Sequence, residues 1–152
     1  MDDSNAGLSL VCRVQTRLCA LPLKHVVETL RALPIEPMAG APPFVLGLAV
    51  IRGAPLPVVD AGRLLGTDGA RAKRFVSVNA GSRRVALAVD HVVGVRTVAP
   101  ESLVALPPLL HAAESDVIAA IGLLDAELLL VLQSTRLLPD EGVRPASEGA
   151  QS

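Results

Sequence analysis

The chain has 152 residues, of which 51% are hydrophobic, and its formal net charge is −1. It contains two Phe and no Trp or Tyr, so its core must be built from small aliphatic side chains. This much apolar surface excludes disorder for most of the chain, and the near-neutral charge argues against a general electrostatic grip on nucleic acid or lipid. The longest apolar run, residues 117–124, is far shorter than the roughly 20 residues of a membrane span.

Twelve Pro and twelve Gly divide the chain into short apolar runs, which predicts an all-β fold of many short strands. In residues 8–15 apolar side chains recur at every second position, which is typical of a strand with one buried face. Three pairs of runs predict hairpins around short polar turns: residues 8–14 with 18–23, residues 75–78 with 85–89, and residues 121–124 with 128–132.

The helical signals are short and local. Pro22 is suited to the first position of a helix over residues 23–30. Asp60 is suited to cap a single turn that runs through Leu65 and ends at Gly66. We therefore expect short helices between strands rather than a helical layer.

Two blocks of the sequence recur in the same order. Residues 19–27 align with residues 85–93 at an offset of 66, with five of nine positions identical. Residues 56–65 align with residues 129–138 at an offset of 73, with five of ten identical. The recurrence predicts two related β units, each too small to be stable alone, which share one apolar interface.

Motifs for catalysis and for cofactor binding are missing from the sequence. There is no phosphate-binding loop and no Gly-x-Ser-x-Gly nucleophile motif. The two Cys and three His are too scattered for a metal site, and we expect Cys12 and Cys19 to be small buried side chains. The sequence thus predicts no enzyme, no cofactor and no metal.

Features suited to binding other proteins remain. Residues 41–47 form a Pro-rich loop that enters an apolar strand. Arg52 stands alone in the apolar stretch 46–59. It lies either at a strand end in solvent or against a carboxylate, and both placements are open from the pattern alone. Arg is favoured at interfaces because its planar fork pairs with carboxylates and carbonyls.

A set of motifs at characteristic spacings resembles the CheW family, the coupling proteins of bacterial chemosensory arrays. The resemblance covers roughly residues 8–138, and the string Gly-Ala-Pro-Pro-Phe over residues 40–44 is its most specific part when combined with three others. These are His25-Val26-Val27-Glu28, Ile51-Arg52-Gly53 and Pro57-Val58-Val59-Asp60. The sequence departs from the family at Val50, where Asn is frequent.

The resemblance implies an all-β fold with short helices, made of two small five-stranded SH3-like β-barrels packed on a shared apolar core. The first barrel is expected over about residues 8–68 and the second over about residues 69–138, with strand exchange between them left open. Residues 1–7 are expected to be an N-terminal extension and residues 139–152 a disordered tail.

The resemblance also implies a non-enzymatic adaptor that couples chemoreceptors to a chemosensory histidine autokinase. Its expected partners are the regulatory domain of that kinase, the cytoplasmic tip of the receptor and other CheW-type domains in rings, with no nucleic acid and no membrane insertion. The acidic start of the chain is unlike a signal peptide, so a cytoplasmic location is expected. The alternative is a divergent scaffold that binds other signalling or polarity proteins without activating a kinase.

The family's contact positions fall on a few residues of the first unit. The resemblance assigns protein binding to these: Val26, Glu28, Phe44, Gly47, Arg52 and Gly53. Because Glu28 and Arg52 are both charges set in apolar segments, we expect them to lie near each other at one partner-binding surface.

Overall fold

The structure is a computed structural model that describes residues 7–66, 73–105, 117–133 and 137. The predicted tail and nearly all of the predicted N-terminal extension lie outside these residues. The described part contains ten strands and one short α-helix: β1 (Leu8–Val14), β2 (Arg17–Pro22), β3 (Val26–Arg31), β4 (Val45–Ile51), β5 (Ala54–Asp60), α1 (Ala61–Leu64), β6 (Arg74–Ala80), β7 (Arg83–Val89), β8 (His91–Thr97), β9 (Ile118–Leu124) and β10 (Glu127–Leu132). The 3₁₀ turns Leu23–His25 and Pro100–Ser102 precede β3 and follow β8.

The ten strands form two five-stranded sheets, and each sheet takes strands from both halves of the chain. The strand order is β8-β1-β2-β10-β9 in the first sheet and β3-β6-β7-β5-β4 in the second. Neither sheet therefore corresponds to residues 8–68 or 69–138. The prediction of two barrels that follow one another along the chain is corrected to two exchanged sheets, and the exchange that the sequence left open is present.

The exchange follows the symmetry of the internal repeat, because equivalent strands of the two units lie in opposite sheets. At the two offsets found in the sequence, β1, β2 and β3 correspond to β6, β7 and β8, and β4 and β5 correspond to β9 and β10. Each unit gives its first two strands to one sheet and its last three to the other. The join is made by two equivalent parallel pairings, β2 with β10 and β5 with β7, while the other named pairings are antiparallel.

The apolar side chains form three layers. A central layer lies between the sheets and combines Leu21 and Leu130 of the first sheet with Val76 and Leu87 of the second. Two further layers lie on the other sides of the sheets, one around Val11 and the other around residues that include Phe75. The central strands are therefore buried on both faces, which explains their nearly continuous apolar runs.

The three predicted hairpins are confirmed. β1 pairs with β2, β6 with β7 and β9 with β10, each across a two-residue turn. The prediction that β1 has one buried face is wrong, because Ser9 and Val11 are buried as well as Leu10 and Cys12. The strand lies inside its sheet with an apolar layer on each side.

The helix predictions fare differently at the two sites. Asp60 caps α1 as expected: its Oδ1 accepts hydrogen bonds from the backbone N–H of Gly62 at 2.9 Å and of Arg63 at 3.4 Å. The helix predicted over residues 23–30 is wrong, because only the 3₁₀ turn Leu23–His25 forms and β3 follows it directly. Pairing of β3 with β6 outweighs the local helical preference.

Strand pairing leaves each sheet with two edge strands, and a segment of irregular chain crosses the gap between them. Beyond β3, Glu36 pairs with Leu48 of β4 through two backbone hydrogen bonds of 2.8 and 2.9 Å. Beyond β8, Val104 pairs with Ile121 of β9 in the same way, with two bonds of 2.9 Å. Each five-stranded sheet thus resembles a small barrel. Its two edge strands are linked by a single short backbone bridge.

Gly47 makes the first of these bridges possible. It lies at an irregularity of β4 with a φ of +144°. A Cβ atom at this position would lie 2.1 Å from the carbonyl oxygen of Glu36 and 2.9 Å from the Cα of Pro37. The clash is with backbone, so no side-chain rotation can relieve it.

We expect Gly47→Ala to lower the free energy of unfolding by about 3 kcal/mol or more, since backbone strain adds to overpacking. The matched control is Gly40→Ala: Gly40 also has a positive φ, +81°, but nothing lies within 4 Å of its Cβ position. That control should lose only about 1 kcal/mol. Urea denaturation of both variants measures the difference, and equal losses would contradict the role given to the Glu36 contact.

Candidate protein-binding site

The site is built on the turn between β4 and β5. Arg52 and Gly53 form this two-residue turn, and their φ angles are +54° and +81°. Two positive φ angles in a two-residue hairpin turn are typical of type I′, whose twist matches that of the strands. Gly53 adopts this conformation without strain, while a non-glycine residue such as Arg52 does so at a cost of about 1 kcal/mol.

Arg52 and Glu28 form a two-pronged ion pair. The Arg52 Nε donates to Glu28 Oε2 at 3.1 Å, and Nη2 donates to Oε1 at 2.8 Å. The expectation that the two residues lie near each other is confirmed. The sequence left open whether Arg52 lies at a strand end in solvent or against a carboxylate. In the structure it does both, because it follows the end of β4 and binds Glu28.

The pair joins the two edges of the second sheet. Glu28 is on β3 and Arg52 follows β4, and these two strands lie at opposite ends of the strand order. The side chain of Arg52 is 79% exposed, whereas that of Glu28 is 25% exposed. The more buried carboxylate of Glu28 therefore binds two of the guanidinium nitrogens while the Arg52 side chain stays largely exposed to a partner.

The electrostatics of Glu28 follow from this geometry. The hydrogen bonds from Arg52 have the largest effect and hold the pKa of Glu28 below its usual value, desolvation opposes them, and the charges of Arg52 and Arg84 add to the lowering. The same hydrogen bonds raise the pKa of Arg52. Both groups are thus charged at neutral pH, and the pair persists until the pH falls through the pKa of Glu28.

The other assigned residues do not all join this surface. Gly53 lies beside Arg52 in the exposed turn. Val26 and Phe44 are half-buried and pack against the central apolar layer. Gly47 is buried against the backbone of Glu36, so its requirement for glycine has a structural reason and it is not part of the exposed surface.

The structure adds the exposure of Val50 and a second ion pair to the surface features expected from the sequence. Val50, two residues before Arg52, is 65% exposed. In the second unit an ion pair of reversed polarity joins Arg96 of β8 to Asp125 in the turn between β9 and β10, at 3.9 Å. Asp125 corresponds to Arg52 at the offset of 73. The repeat identifies the second hairpin turn as the counterpart of the first, but it does not predict the charge found there.

The buried cysteines do not form a site. Cys12 and Cys19 lie directly opposite each other on β1 and β2, and both are buried free thiols, as expected. Burial raises the pKa of Cys12 to about 12 and also raises that of Cys19.

In the part of the chain that the structure describes, no group of three or more His, Cys, Asp or Glu side chains is placed to hold a metal ion. No helix in that part is long and apolar enough to cross a membrane.

A family model described as the CheW-like domain matches residues 9–142 of the chain. The chain belongs to the CheW-like domain family. Its members are scaffold and adaptor proteins, and the resemblance first noted in the motifs is confirmed.

Individual relatives agree with this assignment. The chain is 29% identical to the chemotaxis protein CheW of Rhizobium meliloti (strain 1021) over 142 residues, which cover 91% of this chain and 92% of that protein. It is 35% identical to protein FrzA of Myxococcus xanthus over 101 residues, which cover 64% of this chain and 62% of FrzA. The match thus spans less than two thirds of FrzA.

The fold also agrees with a solved family structure. The scaffolding protein TtCheW from Thermoanaerobacter tengcongensis superposes with a TM-score of 0.78, and the match covers 90% of this chain and 94% of that one at 21% sequence identity. The expected two-part β fold is confirmed, and each part is a five-stranded sheet.

The pKa of Glu28 provides a test of the ion pair. In the variant Arg52→Ala we expect the pKa of Glu28 to rise toward the ordinary value of a glutamate, because the hydrogen bonds from Arg52 are lost. NMR of the side-chain carboxyl carbon of Glu28 measures this pKa. The matched control Arg84→Gln removes a charge that acts only through space and should produce a smaller rise. Because the folded-state pKa is depressed, the pair stabilises the fold above the unfolded pKa of Glu28, and this stabilisation is lost as the pH falls through the folded pKa. An unchanged Glu28 pKa in Arg52→Ala would contradict the pair.

Proposed function

We propose that this protein is a non-enzymatic adaptor that couples chemoreceptors to the regulatory domain of a chemosensory histidine autokinase in the cytoplasm. The proposal combines the family membership with the name of a relative that aligns over nearly the full length of both chains, a chemotaxis protein CheW. Receptor tip, kinase domain and other CheW-type domains are the proposed partners.

The proposal rests on one observation above the others, the presentation of Arg52. Its guanidinium is held by Glu28 in a fixed direction while 79% of its side chain remains exposed. A guanidinium fixed in this way loses little freedom when a partner carboxylate or carbonyl binds it. Arg is also one of the residue types that most often dominate the energy of protein interfaces. The geometry is therefore that of an anchor for a partner protein.

The turn that carries Arg52 adds to this arrangement. The type I′ hairpin fixes the backbone at the tip, and the exposed Val50 on the same hairpin supplies an apolar contact next to the charge. A charged anchor beside apolar surface is a common composition for a binding site. Glu28 acts here as a positioning residue, and Arg52 makes the contact.

A second candidate function keeps the surface and changes the partner. Val50 stands where the family frequently has Asn, and its exposure places this departure beside Arg52. An apolar side chain in place of an amide changes which partner surface fits. The alternative is a divergent scaffold that binds another signalling protein through this hairpin without activating a kinase.

Binding to the kinase regulatory domain of the same organism, measured by calorimetry, tests the proposal. We expect Arg52→Ala to weaken binding by about tenfold or more, which corresponds to about 1.4 kcal/mol. The matched control is Arg17→Ala, which removes an exposed arginine from the first position of β2. Glu28→Gln should also weaken binding, because it releases the guanidinium from its fixed position.

The outcomes separate the two functions. Binding that depends on Arg52, together with receptor-dependent stimulation of kinase autophosphorylation, supports the coupling adaptor. Binding without stimulation favours the divergent scaffold. Equal binding by wild type and Arg52→Ala contradicts the assignment of this surface.

A further inference from the structure

A cluster of positive charges lines a cleft near the end of β3. Arg31 is the last residue of β3, and it lies directly opposite Arg74, the first residue of β6. Lys73 precedes Arg74, and the backbone N–H of Ala32 donates to its carbonyl oxygen at 3.2 Å. The cleft measures about 460 Å³ and is lined by Arg31, Ala32, Lys73, Arg74, Asp90 and His91.

Positive charges outnumber negative ones in this cluster, with three cationic side chains and one carboxylate. Arg31, Lys73 and Arg74 are exposed, and none of them forms an ion pair within the residues that the structure describes. The carboxylate in the cleft, Asp90, accepts a hydrogen bond of 2.7 Å from the backbone N–H of Gln15. Like charges directly opposite each other on neighbouring strands destabilise a sheet. The pairing of Arg31 with Arg74 is therefore unfavourable for the isolated protein.

The cleft is separate from the site at Arg52. Half-buried and exposed residues alternate along β3, so Glu28 and Leu30 face one side of the strand and Thr29 and Arg31 face the other. Arg31 also lies three residues beyond Glu28, which is about 10 Å along the strand. A ligand on the cluster would thus approach the opposite face of β3.

The chemistry of the cluster defines the ligand that it fits. Guanidinium groups bind carboxylates through paired hydrogen bonds. Side chains directly opposite on antiparallel strands have Cβ atoms about 5 Å apart, and residues one turn apart on a helix have Cβ atoms about 5–6 Å apart. Two glutamates at positions i and i+4 of a helix therefore match the spacing of Arg31 and Arg74.

We propose that this cleft is a second binding site, which takes an acidic helical segment of a partner protein through Arg31 and Arg74, with Lys73 adding to the positive field. Nucleic acid fits the site less well. The chain has no Trp or Tyr, Phe75 is fully buried and Phe44 packs against the central layer, so no aromatic platform is offered to a base. The inference depends on the register of β3 and β6 and does not depend on the proposed function.

The test uses a labelled Ala-rich peptide of about 18 residues, long enough to be helical in water, with two glutamate pairs spaced i,i+4. Binding to the full chain is followed by fluorescence anisotropy at low salt. We expect the double variant Arg31→Gln/Arg74→Gln to bind about tenfold or more weakly. The control Arg84→Gln removes the same type of charge at the far end of β7 and should bind as wild type does. A peptide of identical composition with its glutamates spaced i,i+2 should bind more weakly than the first.

Thermal melting excludes unfolding as the cause. Because the double variant removes a like-charge pair, it should melt at the same temperature as the wild type or at a higher one. Equal peptide binding by the double variant and the wild type would overturn the proposal, as would equal binding of the two glutamate spacings. Tighter binding of a single-stranded oligonucleotide or of a phosphoserine peptide through the same arginines would also overturn it. The variant Arg52→Ala should bind the peptide normally, so the outcome is independent of the kinase experiment.

Discussion

The central apolar layer between the two sheets is the feature on which the rest of the structure depends. Each unit of the repeat contributes strands to both sheets, so neither unit can bury its apolar side chains without the other. The parallel pairings of β2 with β10 and of β5 with β7 join the units at equivalent positions. The two sheets are thus expected to fold as one cooperative body, and the hairpins at their outer edges project from a fixed frame.

The edge strands of the sheets carry the contacts that orient the candidate binding residues. An edge strand has free backbone groups, and proteins cover or block such strands to prevent unwanted pairing. Here the bridge from Glu36 to Leu48 and the ion pair from Glu28 to Arg52 both cross the gap between β3 and β4. The same contacts that close the second sheet therefore also fix the direction of Arg52. On the other face of β3, Arg31 and Arg74 are held together by strand register alone, and their charges are left for a partner.

Local features that depend on neighbouring residues could be predicted well from the sequence. The three hairpins, the cap at Asp60 and the burial of Cys12 and Cys19 follow from alternation, turn composition and side-chain chemistry. The proximity of Glu28 and Arg52 could be expected because opposite charges set in apolar segments are stabilised by pairing with each other. The helix expected after Pro22 failed, because the preference of a few residues is weaker than the free energy of completing a sheet.

The sequence by itself determined the class of fold, the existence of two related units and the turns between paired strands, because each of these depends on patterns a few residues long. Only the tertiary structure decided which unit supplies which strand to each sheet, since the repeat is equally compatible with two separate barrels and with two exchanged sheets. It also decided that Gly47 faces the backbone of Glu36 and that Arg31 faces Arg74. These contacts join residues that are distant in the chain or set by register, and the alternation of side chains does not encode such pairings.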